Sequence, residues 1–358
     1  MSWRSLLDKH KADLRHAVRL AAAAAVSFAL ATAFRLPQGY WAVITATVVV
    51  QTSIGATLGA SRDRLIGTGA GALVGAFAAW ARPQTHWGEA AALGLSVGGL
   101  SLAAALRPSL KIAPVTAVIM IVGSAASRTG FVEAAGLRVV EIALGGVIGV
   151  LVALFVFPAR ARDAVSANAQ AALADLSRLL VLYAQRLEGQ EVEAAVAPLH
   201  AKIRARLGTI ETQVAEASRE AAVRLTGAGV ADSIPLTLWR LRNDAVMIGR
   251  ATSRRWGEPE AQRLGGPAAA VLRSQALRLD GLTTALAGGV AALKLPPDDS
   301  FAAFRDAFHQ LERAREPGGL TFERLERIFG LAFALEAFTH NAADLADRVV
   351  EFSSGARE

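Results

Sequence analysis

Long apolar runs dominate the first 160 residues of the chain. A helix needs about 20 mostly apolar residues to cross roughly 30 Å of hydrocarbon, and six runs approach this length. The predicted spans lie near residues 17–34, 40–59, 65–81, 88–106, 112–127 and 138–157. The pattern therefore predicts an all-α membrane protein with an N-terminal segment at 1–16 and a six-helix transmembrane domain at 17–158.

The remaining residues, 159–358, are more polar but keep a helical period. Leu173, Leu176 and Leu180 follow one another at near-heptad spacing, and Phe301, Phe304 and Phe308 do so later, while no strand-like alternation persists. Gly and Pro interrupt this region near 189, 227–235, 257–259, 296–297 and 317–319. We expect about six helices in a cytoplasmic α-helical bundle.

Positive charges between the spans predict the orientation of the membrane domain. Eleven Lys and Arg residues fall on the side of the two ends of this domain, and four fall on the other side. Because cytoplasmic loops carry the excess of Lys and Arg, both termini are expected in the cytoplasm. Trp41, Trp80 and Trp87 then lie together at the outer interface. We predict a multi-pass protein of the bacterial inner membrane.

Composition narrows the range of functions. The chain is 53% hydrophobic and has a net charge of +7, but much of that charge flanks apolar spans, so we expect contact with membrane lipid and no binding of nucleic acid. It has no cysteine, which excludes disulfides and thiolate chemistry. Its six histidines are scattered without metal-ligand spacing, and no phosphate-binding loop is present. We expect no enzyme activity, metal or cofactor.

A repeat is visible at an offset of 74 residues. Arg64 and the glycines at 71 and 75 align with Arg138 and the glycines at 145 and 149. A repeat unit of three helices would give two halves of opposite orientation, a 3+3 inverted repeat of the kind that builds transporters. The glycine stripes favour close helix packing within one protomer; a subunit interface or a substrate path is the alternative.

Polar residues near the end of the second span are candidates for substrate binding. They are Gln51, Thr52, Ser53 and Thr57. Polar groups need partners at membrane depth, so these side chains bind either a substrate carboxylate or neighbouring helices. Arg62 and Arg64, in the predicted turn after this span, are candidates for drawing in an organic anion, although topology alone could explain them.

Glu141 is the candidate for proton coupling. It replaces the glycine that the repeat predicts in the sixth span, and Arg138 precedes it by three residues on the same helical face. A charge within a span costs roughly 2.5–3.5 kcal/mol on insertion scales, so it needs a reason. Glu141 either carries a proton or only pairs with Arg138 at the outer interface.

One stretch of the sequence resembles a known family. Tyr40-Trp41 opens a helix, Gln51 to Thr57 reads Gln-Thr-Ser-Ile-Gly-Ala-Thr, Arg62 and Arg64 follow, and a Gly-rich helix begins at Gly67. This arrangement resembles the fusaric acid resistance family of aromatic acid exporters. Thr52 departs from the family pattern, which usually has proline there and a strong helix break.

The resemblance implies export of small aromatic carboxylic acids, coupled to the proton gradient. Many members carry two membrane units in a chain of double length, so the single unit here implies a homodimer. A passive organic-anion channel is the alternative mechanism. A membrane protein whose helical domain binds an envelope or regulatory partner is the alternative of another class. The need for a periplasmic adaptor stays open.

Overall fold

The computed structural model describes residues 11–83, 85–123, 131–222, 233–253, 261–288, 299–313 and 322–354. Across these ranges all regular elements are helical, and no strand occurs. The chain divides into two compact units, Met1–Ala161 and Arg162–Glu358. The all-α fold class predicted from the sequence is therefore confirmed for the described part of the chain.

In its described part, the first unit contains six α-helices and one 3-10 turn, Pro108–Leu110. The α-helices are α1 Lys11–Ala33, α2 Tyr40–Val49, α3 Ile54–Ala81, α4 His86–Leu106, α5 Ala113–Gly123 and α6 Phe131–Phe155. Four of them contain a segment long and apolar enough to cross a membrane, namely α1, α3, α4 and α6. Helices α2 and α5 have 10 and 11 residues and extend only about 15 Å, which is half of a bilayer core.

The boundary between the second and third predicted spans differs from the structure. The chain leaves the helical conformation at 50–53, and α3 then continues without interruption from Ile54 to Ala81. Arg62 and Arg64 therefore lie inside a helix and not in a turn. Ser53 explains the position of the break, because its side chain accepts a hydrogen bond from the backbone N–H of Ala56 and caps α3. The break is complete although Thr52 replaces the usual proline.

The helix bounds agree with a repeat of 74 residues. Shifted by this offset, α1 falls at 85–107, α2 at 114–123 and α3 at 128–155, which are close to the observed bounds of α4, α5 and α6. The packing is reciprocal as well, since α2 packs on α6 and the equivalent α5 packs on α3. The long helices α3 and α6 also pack on each other.

The direction of the helices follows from which residues meet. Along α2 and α6, Ala42 lies against Gly145 and Val49 against Gly149, so these two helices run parallel. Along α3 and α6 the order reverses: the N–H of Ile54 donates to the carbonyl of Ala159, whereas Ser61 lies against Gly146. Equivalent helices of the two halves thus point in opposite directions, as in an inverted repeat.

The glycine stripes allow the short helices to approach the long ones. A β-carbon at Gly71 would lie 2.3 Å from the carbonyl oxygen of Ala113, and one at Gly145 would lie 2.3 Å from the carbonyl oxygen of Ala42. No side chain fits at such distances, so glycine is required at both positions. Packing within the protomer accounts for these two positions of the stripes.

The second unit contains six α-helices in its described residues, together with a π-helical turn, Ala261–Gly265. They are α7 Ala161–Leu187, α8 Glu193–Ala222, α9 Ser233–Thr252, α10 Gly266–Gly288, α11 Ser300–Arg313 and α12 Phe322–Ser354. The predicted break at Gly189 is present, with a φ of 88° just after α7. The predicted breaks at 257–259, 296–297 and 317–319, and most of that at 227–235, lie outside the described residues.

Apolar residues that repeat at helical spacing form the core of the second unit. Leu173, Leu176, Leu180 and Phe304 are almost fully buried. Helix α12 packs along α9 and against α10.

A polar group around the buried Tyr183, the His200 cluster, joins three helices of the second unit. It consists of Tyr183, Arg186, His200, Arg204 and Arg242. The Tyr183 hydroxyl and His200 Nε2 are 2.7 Å apart. Burial, together with the charges of the three arginines, lowers the pKa of His200 from its ordinary value of 6.5.

Candidate functional site

The centre of the first unit brings charged residues together from distant parts of the chain. Arg138, on α6, donates a hydrogen bond from Nη2 to Gln38 Oε1 at 2.9 Å. The backbone N–H of Gln38, just before α2, donates to Glu141 Oε1, also at 2.9 Å. Gln38 therefore bridges the two charged residues. Arg138 and Glu141 are buried, with 6% and 2% of their surface exposed.

The ion pair between Arg138 and Glu141 is loose. Their closest charged atoms, Nη1 and Oε2, are 3.9 Å apart, which is too long for a hydrogen bond. The guanidinium of Arg138 also lies over the ring of Trp41, 4.3 Å from its centroid, a favourable cation–π distance. Glu141 is therefore one of several groups that hold Arg138, and it does not accept a hydrogen bond from the guanidinium group.

A second arginine, from the other half of the repeat, lies within electrostatic range of the first. Arg64, on α3, is close enough to Arg138 for their like charges to interact. With Gln38, Trp41, Arg138 and Glu141 it forms what we call the arginine cluster. Its two guanidinium groups and one carboxylate, when ionised, leave a net charge of +1.

The arginine cluster is rich in donors that have no acceptor. Among the described residues, Arg138 Nε and Nη1, Trp41 Nε1 and Arg64 Nε are buried without a hydrogen-bond partner. Thr68, one turn beyond Arg64, has a buried hydroxyl in the same condition. Buried donors normally have partners, and guanidinium groups bind carboxylates through paired N–H groups. The cluster can therefore accept an organic anion.

The side chains of Gln51, Ser53 and Thr57, at the helix break, form hydrogen bonds with backbone groups. Ser53 caps α3, and the Thr57 hydroxyl donates to the Ser53 carbonyl at 2.8 Å and accepts from the Gln51 N–H at 3.0 Å. Arg19, which is buried, donates to the Thr52 carbonyl at 3.3 and 3.4 Å. The Gln51 side chain donates to the Val48 carbonyl at 2.8 Å. Substrate contact by these four polar residues stays a prediction.

Arg62 lies apart from the arginine cluster. Its side chain is 66% exposed and pairs with the adjacent Asp63 at 3.1 Å. Arg62 and Arg64, considered together in the sequence, therefore have different surroundings, because two residues along a helix turn a side chain through about 200°.

Three residues of these sites were missed by the sequence argument. Gln38 lies between two predicted spans and was given no role, Trp41 was placed at the outer interface, and Arg19 was only one of the eleven charges counted for orientation. A partial signal existed, since the repeat makes Arg64 and Arg138 equivalent and thereby suggests that they meet near the axis of the repeat. The described residues contain no group of three His, Asp or Glu side chains that could hold a metal ion.

Comparison with known proteins agrees with this architecture. No curated protein gives a significant match to the chain. The sequence profile of the Fusaric acid resistance protein family, however, matches residues 13–353 of the 358. The match includes the stretch from Tyr40 to Gly67 in which the resemblance was first seen, and it extends through both compact units. The chain therefore belongs to the fusaric acid resistance protein family.

Proposed function

We propose that the protein exports aromatic or related organic acids as monoanions, and that Arg138 holds the carboxylate during transport. Membership of a family of membrane exporters, together with four helices able to cross a membrane, makes the chain a membrane transport protein. The substrate class goes further than the family match. It rests on one observation: Arg138 is buried and has two donor nitrogens without an acceptor.

The charge of the arginine cluster supports a monoanion. With Glu141 ionised, one positive charge remains, and a single carboxylate neutralises it. Helices that stop near the centre are also typical of transporter sites, because short helices bring their backbone ends into the protein interior. Helix α2 begins beside Glu141 and α5 begins on the equivalent side of α3. The substrate carboxylate would thus meet Arg138 where the two halves join.

Proton coupling through Glu141 is the finer part of the proposal. Glu141 is the only carboxylate of the arginine cluster, and arginine does not lose its proton in proteins. A change in the protonation of Glu141 would alter the charge that the substrate meets in the arginine cluster. Export of an anion from a negative-inside cell is itself downhill by about 2.3 kcal/mol per 100 mV, so a passive channel would also work. Coupling therefore needs its own measurement.

The test is efflux of hydroxybenzoate from cells that lack their own aromatic acid exporters. We expect the wild-type chain to accelerate efflux and Arg138→Gln to abolish the acceleration, because glutamine has no charge and no paired donor fork. Arg138→Lys should retain a small part of it. Arg62→Gln is the matched control, since Arg62 is exposed and lies outside the cluster. Equal efflux by Arg138→Gln and wild type, at equal amounts in the membrane, would disprove the assignment.

Coupling is tested by adding a protonophore to the same cells. If Glu141 carries the proton, wild-type efflux falls with the gradient, whereas Glu141→Gln gives slower efflux that no longer responds. An identical response in both proteins would remove Glu141 from the coupling step. Wild-type efflux that depends on the membrane potential alone, and not on the pH gradient, would favour the channel.

We further propose that two copies of the chain form a homodimer in the bacterial inner membrane, with both termini in the cytoplasm. The positive charge around the ends of the membrane domain supports the cytoplasmic position of the termini. The double-length members of the family support the dimer. Cross-linking of the full chain in native membranes, with a single cysteine introduced in this cysteine-free protein, tests the dimer.

A further inference from the structure

A groove lies between α1 and α2, beside the two cluster residues Gln38 and Trp41 in the sequence. It has a volume of about 620 Å³, which is within the range of small-molecule sites. Its lining is mostly apolar and includes Phe28, Val43 and Ile44, and its polar side chains are those of Thr32, Arg35 and Tyr40. The groove thus combines an apolar wall, two hydroxyl groups and one cation.

The groove is connected to the arginine cluster through hydrogen bonds. The Tyr40 hydroxyl donates to Gln38 Oε1 at 3.4 Å, and the same oxygen accepts the hydrogen bond from Arg138 at 2.9 Å. Tyr40 also lines the groove, and its ring lies against that of Trp41, with 5.4 Å between centroids. Tyr40 and Gln38 thus link the groove to Arg138 through two hydrogen bonds.

Arg35 has an unusual backbone conformation for its position. It follows the end of α1 with a φ of 51°, in the left-handed region that normally favours glycine. The Leu36 N–H donates to the Ala31 carbonyl across it, which is the bond pattern of a helix C-cap. A non-glycine residue there costs of order 1 kcal/mol, and this cost is a reason to look for a function of the side chain.

We infer that this groove receives the apolar body of the transported anion and sets the largest aryl carboxylate that the protein accepts. Arg35 supplies a positive charge within the groove, and the wall formed by Phe28, Val43 and Ile44 contacts the ring. The inference rests on the proposed export function, because it takes the carboxylate position at Arg138 as its starting point. It extends that function to the size of the substrate.

The experiment measures binding of benzoate and of 2-naphthoate to the purified full chain in nanodiscs, by equilibrium dialysis. Ile44→Trp fills the groove, so we expect naphthoate to bind about tenfold more weakly while benzoate changes less than twofold. Val48→Trp is the matched control, since Val48 lies one turn further along α2, is similarly exposed and does not line the groove. It should change neither affinity.

Arg35→Gly tests the cation without disturbing the fold, because glycine adopts the left-handed conformation freely. We expect it to weaken binding of both acids. An unchanged naphthoate-to-benzoate ratio in Ile44→Trp, with Arg138→Gln still abolishing binding, would overturn the groove assignment and leave the export function intact. Normal binding by Arg138→Gln would instead refute the export site. Loss of a co-purifying phospholipid in Ile44→Trp, with unchanged acid binding, would make the groove a lipid site and also overturn the inference.

Discussion

Replacing Gly71 with alanine should weaken the first unit measurably. The new β-carbon would lie 2.3 Å from the Ala113 carbonyl oxygen and 2.7 Å from Thr116 Cβ. Non-bonded atoms reach their optimum at about 3.5–4.0 Å, so α3 and α5 must separate by roughly 1 Å. Overpacking of this kind costs about 1–3 kcal/mol, and the better helix propensity of alanine returns about 0.5–1 kcal/mol. We expect a net loss of up to about 2.5 kcal/mol.

The assay is unfolding of the full chain in detergent micelles, followed by tryptophan fluorescence. Gly69→Ala is the control, because a β-carbon there meets nothing within 4 Å, and it should be neutral or stabilising by up to about 1 kcal/mol. Gly145→Ala should match Gly71→Ala, since its β-carbon would meet the Ala42 carbonyl at the same 2.3 Å. If Gly71→Ala unfolds like Gly69→Ala, the glycine stripe does not serve packing and the substrate-path alternative gains support.

Two further predictions concern the break before α3 and the His200 cluster. Ser53→Ala removes the cap on the Ala56 N–H and should cost about 1 kcal/mol in the same unfolding assay, whereas Ser53→Asp should retain most of the stability. His200 has a native pKa below its ordinary value of 6.5, so the unfolded chain binds the proton more readily. The contribution of neutral His200 to the stability of the folded chain is therefore fully present above pH 6.5, and it is lost as the pH falls through the native pKa. His200→Gln should therefore flatten the fall in stability between pH 7 and 5, and an unchanged slope would contradict this cause.

The repeat was visible in the sequence because close packing leaves a simple signature. Glycines at four-residue spacing are needed wherever two backbones touch, and both long helices contain them. The end of the second span was misplaced because Arg62, Asp63 and Arg64 have the appearance of a polar turn. In the structure the helix continues through these three residues. Arg62 pairs with Asp63, and Arg64 lies within electrostatic range of Arg138. The capping signal at Ser53 was present but was attributed to substrate binding.

The single offset of 74 residues also overlooked a shift in register of the short helices between the two halves. The short helices share the pattern Ala-x-x-Thr-Ala, at Ala42 to Ala46 and at Ala113 to Ala117, with an offset of 71 residues and not 74. These residues meet equivalent glycines of the long helices. The stretch from the short helix to the paired glycine stripe of the next long helix is therefore three residues longer in the second half, from Ala113 to Gly145, than in the first, from Ala42 to Gly71, which a single fixed offset along the sequence does not reveal.

The candidate site could be anticipated only in part. Glu141 and Arg138 were identified because charge is costly within a span and because they share a helical face. Gln38 could not be linked to them, since it lies 100 residues from Arg138 in the sequence and no local pattern predicts the contact. The same reason applies to Trp41, whose position suggested an interfacial residue. Contacts between the two halves require the three-dimensional packing.

The difference between the two halves explains why the arginine cluster has an excess of positive charge. The repeat makes Arg64 equivalent to Arg138, and it places Gly67 where the other half has Glu141. A β-carbon at Gly67 would lie 2.4 Å from Ile112 Cγ2, so no second glutamate fits there. A fully symmetric unit would contain two arginines and two glutamates and would be neutral. With one glutamate absent, the ionised cluster keeps one net positive charge, and under the proposed function an organic monoanion would neutralise it.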